Sequence, residues 1–139
     1  MTPGDATGPD VELAFPAVEE LVTLARFTAA TVAAGAGFDV DEVEDLRLAV
    51  DELCASVGTF GDGSSIRLNL SRRGDTVRIR CVNEAPDAVT NGNGTVDDDW
   101  RPSEISEQLL AALVDRYAFE RHNDRPCGWL EKERSRTGT

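Results

Sequence analysis

The sequence predicts an α+β fold, a two-layer sandwich in which about three helices cover a mixed, mainly antiparallel sheet. Three observations lead there. Apolar residues recur at steps of three and four in three separate stretches, as on one face of a helix. Five shorter runs alternate in polarity or stand between turn residues, as strands do. Four of those runs come in adjacent pairs, which favours hairpins over parallel crossovers.

Taken in order, Val11–Phe15 alternates apolar and other residues, and Pro16 ends it. Ala17–Ala34 then carries Val18, Leu21, Val22, Ala25, Ala29 and Val32 at helical spacing, with Gly35 and Gly37 as the stop. Either Asp39 or Asp41 caps a second helix whose first turn is acidic through Glu42 and Glu44. Its core stripe is Val43, Leu46, Val50, Leu53 and Val57. Leu48, Glu52 and Ser56 run along a different face at steps of four. Gly58 and Gly61–Gly63 close this helix. Ser65–Ser71 and Thr76–Asn83 alternate cleanly around the tight turn Arg72–Asp75 and form a β-hairpin.

Regular patterning is missing from Glu84 to Pro102, a stretch that includes Asn91–Gly94 and the acidic run Asp97–Asp99. With no lysine and no strand immediately before it, Asn91–Gly94 is a loop and not a phosphate-binding P-loop. Ser103 caps a third helix with Ile105, Leu109, Leu110 and Leu113 as its apolar row. Tyr117–His122 and Cys127–Lys132 are the last strands, around a turn at Asn123–Pro126. Residues 1–10 read as a disordered segment, 11–133 as a single domain and 134–139 as a polar tail.

Bulk chemistry narrows the function. The net charge is −12 and the basic residues are scattered, so direct nucleic-acid binding is not expected. A basic protein partner suits such a surface better. No stretch approaches the roughly 20 apolar residues that span a bilayer, and no basic start with an apolar run marks a signal peptide. A cytoplasmic protein is expected, without membrane attachment. Cys54, Cys81 and Cys127 are odd in number and unpaired in spacing, consistent with reduced buried thiols and with neither a disulfide framework nor a zinc site. His122 reads as a surface histidine. Trp100, in the long loop, is the better binding anchor of the two tryptophans.

The element order, together with Asp45-Leu-Arg-Leu-Ala-Val-Asp-Glu-Leu-Cys54 on the second helix, resembles the anti-sigma regulatory factors. These are serine-protein kinases within the Bergerat-fold, or histidine-kinase-like, ATPase superfamily. In that family a Glu-x-x-x-Asn box on the second helix supplies a general base and a magnesium ligand, one helical turn apart. The matching residues here are Glu52 and Ser56, so the base is kept and the ligand becomes a hydroxyl. The adenine box, Asp-x-Gly-x-Gly in the family, reads Asn83-Glu-Ala85-Pro-Asp87. Asn83 retains an acceptor oxygen, but the glycines are gone and Asp87 brings negative charge toward a triphosphate. Where family members open the third helix with glycines facing the phosphates, this chain has Arg101-Pro-Ser-Glu-Ile-Ser-Glu107. The resemblance therefore implies an eroded nucleotide site, with Mg·ATP bound weakly or not at all.

It also implies partners. Family members sequester an RNA-polymerase sigma factor and are countered by an anti-anti-sigma protein. Their partner surface lies near the first helix, where Arg26 aligns with a partner-contacting arginine. Two functions follow as expectations: a sigma-sequestering module that works by mutual exclusion, or an active ATP-dependent kinase that phosphorylates the antagonist with Glu52 as base. A homodimer is implied by family likeness alone.

Overall fold

The computed structural model describes residues 10–58, 63–85 and 100–135. β1 (Val11–Pro16) leads through a 3-10 turn at Glu19–Leu21 into α1 (Val22–Gly35) and then α2 (Val40–Val57). The hairpin β2 (Ser65–Arg73) and β3 (Thr76–Glu84) follows. After it come α3 (Glu104–Leu113) and a second hairpin, β4 (Arg116–His122) with β5 (Arg125–Glu133). The strands form one sheet in the order β1-β2-β3-β5-β4, and every pairing is antiparallel. The sandwich is thus as expected, without a parallel pair among the described strands.

Local chemistry sets the boundaries. Asp39 is the cap of α2: its carboxylate accepts from the Glu42 amide at 2.8 Å, and Glu42 answers by accepting from the Asp39 amide at 2.9 Å. This capping box satisfies two amides that the first turn leaves unbonded. At the other end of α1, Arg72 donates to the Gly35 carbonyl at 2.7 Å, so a β2 side chain caps a helix. The β4–β5 turn is tighter than its residues suggested. Asn123 and Asp124 alone make it, both at positive φ, the conformation that matches strand twist in two-residue hairpins. Pro126 falls inside β5, beyond the last β3 pair at Val82 and Cys127, where a missing N–H breaks no β3 bond.

The core fills the space between helices and sheet. Leu46, Val50, Leu53 and Val57 of α2 are fully buried against Ile66, Leu68, Leu70, Ile79 and Leu130 of the strands. Burying side chains of this size contributes about 1.5–3 kcal/mol each before conformational entropy is subtracted. α3 departs from its apolar pattern: Ser106 and Leu110 are buried, whereas Ile105 and Leu109 are exposed. Its first turn lies against a polar strip of α2, so the inward residue there is a serine. α2 is the middle helix of the layer, in contact with both α1 and α3.

Candidate functional site

The strip that meets α3 is the Glu52–Ser56 face of α2. The Ser106 hydroxyl donates to Glu52 Oε1, and the Ser103 hydroxyl donates to Ser106 Oγ at 2.8 Å. Ser103 also caps α3, accepting from the Ser106 amide at 3.0 Å. The two serines therefore form a short relay that ends on the glutamate. One turn further along α2, the Trp100 indole donates to the Ser56 backbone carbonyl at 3.2 Å. Its ring meets Phe119 of β4 edge-on, with centroids 6.0 Å apart. The Ser56 hydroxyl is enclosed and makes no hydrogen bond with the described residues. Trp100 is thus turned inward and only half-exposed, held by α2 and β4.

Asn83 sits at the end of β3 and is 1% exposed. Its Nδ2 donates to the Val57 carbonyl at 2.9 Å, and its Oδ1 accepts from Arg125 Nε at 2.8 Å. Its carboxamide thereby ties the C-terminus of α2 to β3 and β5. Ala85 lies just beyond β3, exposed. Asp87 lies outside the described residues.

Arg26 bridges the two long helices. Its Nε stands 2.8 Å from Asp51 Oδ1, and a terminal nitrogen donates to Thr23 Oγ1 at 3.1 Å. Burial lifts the Asp51 carboxyl above its ordinary range, against the opposing pull of Arg26 and Arg47; neighbouring Glu52 adds to the lift. Around this pair the outer face of α1 is apolar, with Leu24 43% and Phe27 61% exposed. Leu48 of α2 is exposed as well.

The sequence profile of the histidine kinase-like ATPase domain matches residues 15–131. The chain belongs to that family. Within it, the chain is 27% identical to the serine-protein kinase RsbW of Halalkalibacterium halodurans over 117 residues, 76% of this chain and 72% of the relative. RsbW proteins of Bacillus cereus and Bacillus thuringiensis are 38% identical over 47 residues, 34% of this chain and 29% of theirs.

A histidine-kinase-like ATPase domain suggests Mg·ATP, but the arrangement of the described residues does not fit it. Glu52 is engaged by Ser106, and the only oxygen Ser56 adds is enclosed. Asn83 turns its acceptor oxygen toward Arg125. Serines, not glycines, stand at the start of α3. Among the described residues no cluster of three or more His, Cys, Asp or Glu side chains could hold a metal ion.

The roles of three residues escaped sequence reading. Ser103 and Ser106 looked like an ordinary cap and its neighbour; the Ser-x-x-Ser spacing at a helix start was the available signal. Arg125 stood in a turn motif, and nothing local tied it to a residue 42 positions earlier. The remaining polar features lie elsewhere. On the uncovered sheet face, a groove of about 640 Å³ is lined by Arg67, Arg78, Arg80 and Glu131 among others. There Arg78 lies over the Trp129 ring at 4.5 Å. All three cysteines are buried and free; contact with Cys54 and burial push the Cys81 thiol well up, which suppresses its thiolate. His122 is exposed at the end of β4. No helix among the described residues is long and apolar enough to cross a membrane.

Proposed function

We infer that this chain is an anti-sigma factor: it sequesters an RNA-polymerase sigma factor, is countered by an anti-anti-sigma protein, and binds Mg·ATP weakly or not at all. The observation that carries this reading is the internal use of the residues that match the family's nucleotide contacts. Glu52 holds Ser106, and Asn83 holds Val57 and Arg125. Mutual exclusion on a surface needs no such chemistry. The apolar outer face of α1, with Leu24 and Phe27 beside Arg26, supports placing that surface there. The acidic net charge favours encounter with a basic partner in the cytoplasm. A homodimer is compatible with this arrangement.

The alternative, an ATP-dependent kinase acting on a serine of the antagonist, is favoured by one observation: Glu52 already bears a serine hydroxyl. Affinity capture of the full chain from its native cells, paired with Mg·ATP calorimetry, separates the two. Recovery of a sigma factor with no measurable nucleotide heat is the expected result. Phosphate transfer to an antagonist that Glu52→Ala abolishes would establish the kinase instead. Recovery of neither partner class removes the sequestration reading.

A further inference from the structure

We propose that the open face of the sheet is a binding surface in its own right, and that it takes an extended acidic segment of a partner protein with carboxylates at alternate residues. The chain as a whole has 26 acidic residues against 14 basic ones. The groove of about 640 Å³ on this face reverses that balance, setting Arg67, Arg73, Arg78 and Arg80 against three carboxylates. In the sequence these arginines are scattered. Pairing of β2 with β3 gathers them, because every second residue of a strand points to the same side. The surface lies in the opposite layer from α1, so this inference stands apart from the reading of the α1 face.

Register and charge both point to that occupant. Arg80, Arg78 and Thr76 are successive outward positions of β3, and Arg73 stands opposite Thr76 on β2. Outward positions on one strand are about 7 Å apart. The three arginines therefore stand in a row with the repeat of an extended chain, which brings every second side chain to one face at the same interval. Beside them Asn69, Ser71 and Thr76 line the groove with neutral hydrogen-bonding groups. The positive charge is only partly cancelled from within. Glu12 and Glu84 both bind Arg67, and Arg78 shares Glu131 with Arg116. Arg73 has no carboxylate within salt-bridge distance among the described residues, and neither has Arg80, which donates to the Cys127 sulfur. Glu131 already displays the chemistry an incoming carboxylate would repeat, bridging Arg78 at 2.9 Å and Arg116 at 2.7 Å. Arg78 is also stacked over Trp129 at 4.5 Å, which holds its planar fork in place for such a partner.

The test titrates the full chain with a synthetic peptide of alternating Glu and Thr, and with its Gln and Thr counterpart, at low ionic strength. Calorimetry and backbone amide shifts are read together. The Glu peptide is expected to shift amides of β2, β3 and β5 and to leave those of α1 and α2 in place, while the Gln peptide does not bind. Added salt should weaken the Glu peptide, because exposed charges are screened. Arg73→Gln combined with Arg80→Gln should weaken it by about tenfold, the scale of two exposed charge pairs, and Arg47→Gln on α2 should change nothing. Both arginines are at least half-exposed or near the rim of the groove, and urea midpoints equal to the parent's show that the variants fold. Equal affinity for the Glu and Gln peptides, or undiminished affinity in the doubly substituted chain, overturns the proposal. Self-association that Arg73→Glu with Arg80→Glu abolishes would make the face a contact between copies instead. Tighter binding of an oligo-dT strand at the same amides would overturn it in favour of nucleic acid.

Discussion

Asn83 of β3 donates its carboxamide proton to the backbone carbonyl of Val57, the last residue of α2, at 2.9 Å. The final carbonyls of a helix have no partner within it, and this one is satisfied by the sheet. The same side chain accepts from Arg125, so one residue joins α2, β3 and β5. Asn83→Asp restores the carboxylate found in the family's adenine box but removes the donor to Val57. A loss of about 1–3 kcal/mol is expected, because an acceptor would face a buried carbonyl. Urea midpoints at constant m-value measure it. A variant as stable as the parent that also gained adenine-nucleotide binding would return Asn83 to the nucleotide site.

Gly128 of β5 lies under Leu53, near the C-terminal end of α2. A Cβ there would stand 2.8 Å from Leu53 Cδ1, which is fully buried, and 3.0 Å from Phe119 Cδ1, which is partly buried against the core. Gly128→Ala should therefore destabilise by about 1–3 kcal/mol through overpacking. Thermal melts of the variant beside Gly128→Ala/Leu53→Val, in which the facing side chain is shortened by one methylene, check the cause: partial rescue is the expected outcome.

Glu131 gives acid sensitivity a specific address. It accepts from Arg116 Nε at 2.7 Å and from Arg78 at 2.9 Å on the open face of the sheet. The Arg116 bond is the main reason its carboxyl lies below the usual glutamate range; partial burial opposes it and Arg78 reinforces it. A folded value below the unfolded one means the stabilisation is complete above the ordinary value of 4.5 and is lost as pH falls through the folded value. Glu131→Gln should flatten the fall in urea midpoint between about pH 5 and pH 3. Identical slopes for parent and variant would show that other carboxylates set the acid limit.

Phe27 separates stability from partner binding. At 61% exposed it contributes little to the core, and Phe27→Ala should change stability by less than about 0.5 kcal/mol. If the outer face of α1 is the partner surface, the same change should weaken capture of a sigma factor by about tenfold or more, the scale of a lost aromatic anchor. Titration calorimetry with the captured partner decides it, and undiminished affinity would move the surface off α1.

Strand alternation, helical periodicity and turn chemistry are local, and they were legible without coordinates. Val43–Val57 spaces its apolar residues so that only one face can be buried, and Gly74 and Asn123-Asp124 mark turns because few residues tolerate positive φ. The choice between Asp39 and Asp41 as cap was local as well: Asp39 stands three residues before Glu42, the capping-box spacing, and each accepts from the other's amide. Ile105 and Leu109 misled for a different reason, since periodicity finds an apolar face but cannot know that the facing helix presents a glutamate.

What the amino-acid sequence determined by itself was the α+β sandwich, its element order, its family likeness and the presence of Glu52 on a face apart from the core. Tertiary structure alone decided what Glu52 and Asn83 touch. Ser106 lies 54 positions from Glu52, and Arg125 lies 42 from Asn83, so no short-range pattern couples either pair. A hydrogen bond requires partners within about 3 Å in a defined direction, and across such separations only packing of the two layers supplies that placement.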